Sequence, residues 1–294
     1  MIFLAGSIIF SSILVLAFKV CEIYKIDIFQ AIVFNYATCI ITGAIVSGDI
    51  PAYENFVNKP WFAWAAAMGL GFVISFNLIA LTVKKSGISA AAVASKLSLV
   101  IPFIFSVWLY DDDVSFLKIS GIVIAIIAVI LSSTRFTEKD INYGGAKSIV
   151  VMITLPAIVF LFTGLLDTAI KYVEHNFLTA GMQDDYLISS FSFAFAAGLL
   201  VLTTLLVARR KTLQGRAVIA GIVIGIPNYF SIWCLMKSLK QYGNFSSVLI
   251  PVNNLGIVLL SVLAGWIIFN EKNSILNWIG IGLAVLAIIM ISFF

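Results

Sequence analysis

The sequence has few charged side chains, since Asp, Glu, Lys and Arg make up only 11% of its 294 residues, against about 25% in soluble proteins. It has a single histidine, His175, which is predicted to lie in a connection between apolar spans. Its three cysteines lack the close spacing of a metal site and are expected to be free thiols. No glycine-rich phosphate loop precedes a helix. These absences exclude a soluble domain, argue against an enzyme, and predict neither a cofactor nor ATP-driven transport.

Hydrophobic residues are abundant instead, at 62%, and they form ten apolar spans long enough to cross a bilayer core of about 30 Å. The chain is therefore predicted to be an all-α multi-pass protein of the cell (inner) membrane, in contact with the lipid bilayer. Its net charge of +4 comes mainly from basic residues between the spans, so no nucleic-acid partner is expected. The oligomeric state stays open, a monomer included. The predicted spans are Ile2–Val20, Phe29–Ser47, Trp61–Val83, Ser89–Tyr110, Phe116–Ser133, Ser148–Lys171, Tyr186–Ala208, Ala217–Lys237, Phe245–Phe269 and Ile275–Phe294.

The two halves of the sequence carry matching polar residues between their apolar spans, at a nearly constant offset. Lys84–Gly87 after the third span aligns with Lys240–Gly243 after the eighth, and Asp112 aligns with Glu271 before the last span of each half. An odd number of spans per repeat places the repeats in opposite orientations, as in many secondary transporters. The alternative is that apolar sequences align by chance. The sequence thus predicts two inverted five-helix repeats, residues 1–141 and 142–294.

Glycine and alanine recur four residues apart in three spans. They open the fifth span at Gly121 and the tenth at Gly280, and Gly221 and Gly225 do the same in the eighth. Small residues at this spacing let two helix backbones approach closely in a membrane. Each of these spans is therefore predicted to pack against another helix through its small residues.

The fourth span carries a lysine, Lys96, about 12 Å from its start. A lysine at such a depth costs about 2.5–3.5 kcal/mol on insertion scales, and intramembrane charges mark functional sites by default. Pro102 is predicted to leave the carbonyl of Ser98 without its helical donor. We predict that Lys96 faces a polar cavity and binds substrate or gates it. The alternatives are that it snorkels to the interface or bonds a neighbouring helix.

Other spans carry polar residues and prolines at similar estimated depths. Broken helices with amides and a cation at one level suit a midplane site for a small polar solute, although single Asn and Ser residues also bond across helices. Asp167 and Lys171, one helical turn apart near the end of the sixth span, are predicted to form a gate. The predicted substrate-binding residues are Lys96, Asn77, Ser11, Thr154, Asn228, Tyr229, Asn253 and Asn254.

Some of these features together match a known family. They are the small-residue fourth span, Ala80-Leu81 before the turn at Gly87, the acidic residues Asp112, Asp113 and Glu271 before the last span of each half, and Gly121 and Gly280 in those spans. Over its whole length the chain resembles the drug/metabolite transporter (DMT) superfamily, specifically its ten-helix proteins with two EamA-like domains. One departure is that small multidrug members use a glutamate within their first helix, and the first span here has none.

The resemblance implies a secondary carrier with a central cavity between its halves. The expected function is export of a small metabolite, such as an amino acid or an organic anion, by alternating access. The alternatives are an exporter of neutral or cationic metabolites or drugs, and a channel-like membrane protein. Orientation also stays open, because the basic residues place both termini outside, whereas the family implies cytoplasmic termini.

Overall fold

The computed structural model describes residues 2–48, 58–110, 115–133, 145–178, 182–241 and 246–293. Across this described part the regular secondary structure is α-helical, which confirms the all-α prediction. The helices are α1 (Ile2–Ile23), α2 (Ile28–Ser47), α3 (Phe62–Ser86), α4 (Ile88–Leu97), α5 (Val100–Tyr110), α6 (Phe116–Ser133), α7 (Gly145–Phe177), α8 (Gln183–Val207), α9 (Gly215–Gln241), α10 (Ser246–Ile268) and α11 (Ile275–Phe293).

Ten stretches of these helices are long and apolar enough to cross a membrane, and they correspond one to one with the ten predicted spans. Nine are single helices, and the fourth, Ile88–Phe105, is made by α4 and α5 together. The helices also expose many large apolar side chains, a surface that suits lipid rather than water. The chain is a multi-pass membrane protein by these criteria. On α6 the exposed apolar residues include Leu117, Ile119, Val123, Ile126, Ile127 and Ile130.

The chain divides into two compact units, which we describe separately. The first unit comprises Met1–Lys19, Leu78–Leu165 and Ser231–Phe294, and the second comprises Val20–Asn77 and Leu166–Phe230. Each unit draws on both halves of the sequence, so this division by packing differs from the predicted division into 1–141 and 142–294. The inverted repeat stays a prediction.

In the first unit α6 and α11 pack through the small residues that the sequence singled out. A Cβ added at Gly121 would lie 2.8 Å from Ile291 Cγ1, and one at Gly280 would lie 2.5 Å from Ser132 N. Ala125 and Ala284 are fully buried in the same cluster. The backbones of the two helices therefore lie too close for larger side chains. The predicted packing faces of the fifth and tenth spans are confirmed.

In the second unit α9 packs against α2 in the same way. A Cβ at Gly225 would lie 2.5 Å from Thr38 Cβ, and one at Gly221 would meet Phe34 Cβ. The packing face predicted for the eighth span is thus confirmed. Aromatic rings fill other parts of this unit, where Tyr36 stacks on Phe191 with ring centroids 6.0 Å apart.

The starts of α2 and α9 are tied together by polar side chains. Asp27 accepts a hydrogen bond from Gln30 N, 3.1 Å away, and pairs with the Lys211 ammonium. Asp27 N donates to Gln214 Oε1, and Gln214 N donates to Gln30 Oε1, both over 2.9 Å. Each helix start thus receives a side-chain bond from the other element. The residues that make this connection are Asp27, Gln30, Lys211 and Gln214.

Two smaller predictions are resolved by the helix bounds and the thiols. His175 was predicted to lie in a connection, and this is wrong, because its backbone continues α7 to Phe177. The apolar sixth span is followed by more than a turn of polar helix. Cys21, Cys39 and Cys234 are buried and form no disulfide, as expected.

Candidate functional site

The fourth span is interrupted at its middle. Helix α4 ends at Leu97, Ser98 and Leu99 form a turn, and α5 begins at Val100. The prediction for the Ser98 carbonyl is only half right. Pro102 does remove its ordinary donor, but Ile101 N donates to that oxygen instead over 2.9 Å. The carbonyl is therefore occupied by a tighter turn rather than left available to a solute.

Helix α7 lies against this interruption. A Cβ added at Gly164 would be 2.8 Å from the Ser98 carbonyl oxygen and 2.5 Å from Ile101 Cδ1. Glycine is therefore required where the two backbones meet. Ser98 is fully buried, and its hydroxyl donates to the carbonyl of Ser95 over 2.7 Å. The break between α4 and α5 is thus a packed feature of the first unit, with its local polar groups bonded.

Lys96 stands in the last turn of α4, one residue before the helix ends. Every other residue of α4 is buried, and Lys96 alone is half-buried. A cation at the C-terminal end of a helix also interacts favourably with the helix dipole. The lysine of the fourth span therefore lies directly before the break between α4 and α5. Its contact with substrate stays a prediction.

The start of α4 is capped by a carboxylate from a distant part of the chain. Glu271 Oε1 accepts from Ile88 N over 2.7 Å, and Glu271 Oε2 accepts from Ser89 N over 3.4 Å and from Ser89 Oγ over 3.1 Å. Asn273 also exchanges hydrogen bonds with Ser89 Oγ. Glu271 is only 6% exposed. A carboxylate here satisfies helix-end N–H groups and opposes the positive end of the dipole.

The remaining first-unit candidates differ in exposure. Asn253 is 3% exposed, and its Oδ1 has no hydrogen-bond partner among the described residues. Asn254 and Ser11 are half-buried. Thr154 is exposed, and its hydroxyl approaches its own helix at the Val151 carbonyl, 3.5 Å away. Asn253 is therefore the buried residue of this group with an unused acceptor.

Three predicted binding residues belong to the second unit. Asn228 is 3% exposed and donates to Asn35 Oδ1 over 3.2 Å, which is the helix–helix bond that the sequence left as an alternative. Tyr229 is buried, with its ring against Gly43. Asn77 is half-buried and donates to the Val73 carbonyl over 2.7 Å. These contacts give each residue a structural role, and substrate binding by them stays a prediction.

The predicted gate residues also lie in the second unit. Asp167 and Lys171 are four residues apart on α7 and both are exposed. This spacing places them on one face of the helix, as the sequence predicted. The ten candidate residues therefore divide between the two units, and the single midplane cavity stays a prediction.

The sequence did not predict two side-chain arrangements near the candidate residues. It noted Glu271 as an element of the repeat but did not pair it with Ile88, which lies 183 residues earlier. It also missed Asn35, the partner of Asn228. A partial signal was present, because Gly87 offers no side chain to cap α4, but it does not indicate which residue supplies the acceptor.

Comparison with known proteins gives a fold but no function. No family model matches the chain. A protein of Haemophilus influenzae, described only as uncharacterized, is 28% identical over 272 residues, which cover 90% of this chain and 88% of that protein. A protein of known crystal structure is similar over 99% of this chain and 96% of its own, with a TM-score of 0.64 and 15% identity. The chain therefore shares its fold with a solved protein.

Proposed function

We propose that the protein is a secondary transporter of the drug/metabolite transporter superfamily. In this proposal it exports a small metabolite with an anionic group, such as an amino acid or an organic anion, by alternating access. The ten apolar spans and the sequence repeat support a carrier built from two inverted five-helix halves. Lys96 binds the anionic group, and asparagines at a similar depth contact the polar remainder.

One observation carries the proposal, namely the environment of Lys96. It is the only residue of α4 that is not buried, and it stands where the fourth span breaks. Intramembrane lysines are costly, so they persist where they face a cavity or a partner. An anionic group at this point would offset the cost of holding the charge within the span.

The first test is a transport assay on the full-length protein in proteoliposomes, with a panel of labelled amino acids and organic anions. A carrier exchanges solutes, so unlabelled solute on the far side should accelerate uptake of the labelled one. Flux without such acceleration would indicate a channel. Flux of neutral or cationic solutes alone would favour the other class of exporter, in which Lys96 serves as a gate.

Lys96→Met tests the role of the charge, because methionine keeps an unbranched apolar side chain of similar length. We expect it to abolish transport of the anionic solute, since the anion would lose its charged partner at a cost of about 1–3 kcal/mol or more. The melting temperature should stay near that of the parent protein or rise slightly. Lys96→Arg should keep partial activity, because it retains the charge in a bulkier planar group.

Lys85→Met is the matched control, since Lys85 is exposed in the last turn of α3 and carries the same charge. It should leave transport intact. Normal transport by Lys96→Met would mean that Lys96 snorkels, and failure of that variant to fold would mean that the lysine holds helices together.

A further inference from the structure

The first turn of α4 depends on a carboxylate that the helix does not itself contain. Gly87 precedes it with φ 94° and ψ 171°, a backbone conformation that favours glycine, and it offers no side chain. Ile88, Ser89 and Ala90 are fully buried, so water cannot satisfy their N–H groups. Glu271 supplies the acceptors for the first two. Without it the start of α4 would hold unpaired buried donors.

Glu271 is itself held in place by the end of α10. Asn270 has a left-handed backbone (φ 49°), which turns the chain so that Glu271 N donates to the Gly265 carbonyl over 3.0 Å. A Cβ added at Gly265 would lie 2.9 Å from Glu271 Oε2 and 3.5 Å from Ile88 Cβ. The carboxylate therefore fills a space that only glycine leaves open. The end of α10 and the start of α4 form one joint.

Beyond its first turn, the buried residues of α4 are small or apolar. Ala90, Ala91, Ala92 and Ala94 are fully buried. Val93 and Leu97 are fully buried in the core cluster of the first unit, but apolar contacts are non-directional. At its other end the helix stops at the Ser98–Leu99 turn instead of continuing into α5. The hydrogen bonds of its first turn to Glu271 and Asn273 are thus directional contacts between α4 and the segment that follows α10.

The same helix carries Lys96 about 12 Å from this joint, at 1.5 Å per residue. We propose that Glu271 is a positioning residue for Lys96: by anchoring the first turn of α4 it holds the ammonium toward the substrate. This inference rests on the proposed function, and it adds that a residue outside the ligand-binding group sets the affinity for an anion. Loss of the cap lets α4 turn, so Lys96 spends less time in its binding orientation.

The test uses a cysteine at position 96 as a reporter in the full chain. The Lys96→Cys protein is labelled with anionic 2-sulfonatoethyl methanethiosulfonate, and the parent protein, whose cysteines are buried, gives the background. Glu271→Gln keeps the side-chain volume but replaces one acceptor oxygen by an NH2 group. Loss of a helix cap corresponds to up to a roughly tenfold change in equilibrium. We therefore expect labelling at position 96 to slow by up to about tenfold.

Asp27→Asn is the matched control, because Asp27 also caps a helix but that helix is α2, in the second unit. It should leave the labelling rate at position 96 unchanged. Ser89→Ala is the milder second variant, since it removes the hydroxyl that bonds Glu271 and Asn273 but keeps the carboxylate and both backbone donors, and it should slow labelling less. If Glu271→Gln fails to fold, Ser89→Ala still decides the matter. Labelling at the parental rate in the variants that fold would overturn the inference.

Transport separates this inference from the proposal beneath it. For the anion found in the panel, Glu271→Gln in the Lys96-containing protein should raise the half-saturation concentration by up to about tenfold and change the maximal rate less. A loss of maximal rate alone would contradict a positioning role. If no solute is transported but labelling responds to Glu271→Gln, the transporter proposal fails while the geometric role of Glu271 stands. If transport is anion-specific but labelling and half-saturation do not respond, only the positioning role fails.

Discussion

The first turns of α2 and α4 are both capped by a carboxylate, but the two carboxylates come from different parts of the chain. Asp27 is the residue that precedes α2, and it caps its own helix by accepting from Gln30 N. Glu271 caps α4 from a segment 183 residues away. Asp27 is partly accessible and pairs with Lys211, whereas Glu271 is 6% exposed and accepts from backbone and hydroxyl groups.

A cap within one helix stabilises that helix, whereas a cap from a distant segment also fixes where the helix lies. The bond between Asp27 and Gln30 N lies within one helix and moves with it, and the accessible pair with Lys211 is what ties this carboxylate to α9. A remote cap makes the position of α4 depend on the end of α10. Burial adds to this dependence, because an N–H group that loses its acceptor in an apolar interior has no water to replace it. Removing each carboxylate should therefore have different consequences.

The largest expected effect is that of Glu271→Ala on stability. It leaves the N–H groups of Ile88 and Ser89 without acceptors, at about 1–3 kcal/mol for each buried group. Asp27→Ala should cost about 0.5–2 kcal/mol, the usual range for an N-cap, because water reaches α2 more readily. Melting temperatures of both variants in the same detergent would measure the difference. A larger loss from Asp27→Ala would reverse the comparison.

A second prediction displaces Glu271 without removing it. In Gly265→Ala the new Cβ would lie 2.9 Å from Glu271 Oε2, so the carboxylate must move, at a cost of about 1–3 kcal/mol for overpacking. Gly282→Ala is the control, since nothing lies within 4 Å of that position on α11, and it should stabilise the helix by about 0.5–1 kcal/mol. Thermal unfolding checks both. Equal effects would show that the space at Gly265 is not occupied as described.

The spans and their tight packing were predictable because they depend on features local to the sequence. Long apolar runs specify helices that cross a bilayer, and glycine and alanine four residues apart specify close approach. Gly121 and Gly280 could therefore be assigned to packing without a partner being known. The partner of each did not follow from the pattern.

The candidate site was less predictable, because its contacts join residues distant in sequence. Lys96 was identifiable, since a charge in an apolar span stands out. Glu271 was not paired with Ile88, because nothing near Ile88 indicates which acidic residue reaches it. The donor to the Ser98 carbonyl was predicted wrongly for another reason. A proline removes one hydrogen bond, but a tighter turn with Ile101 replaces it.

The repeat predicts a further remote cap. Asp112, which aligns with Glu271, lies outside the described residues, and so this pairing rests on sequence alone. If a distant acidic residue caps a helix in both halves, then remote capping belongs to the repeat and is not specific to the helix that carries Lys96.

The smallest expected effect concerns the Asp27–Lys211 pair, which should behave as an ordinary accessible ion pair. A double-mutant cycle with Asp27→Asn and Lys211→Met should give a coupling of about 0.2–1 kcal/mol, because the side chain of Lys211 is 35% exposed. Salt at about 1 M, where the screening length is about 3 Å, should reduce that coupling. The cost of Glu271→Ala should not change with salt, since its hydrogen bonds are buried. Unfolding measured at two salt concentrations checks both statements, and a salt-sensitive cost at Glu271 would mean that the two carboxylates are not the different kinds of cap described.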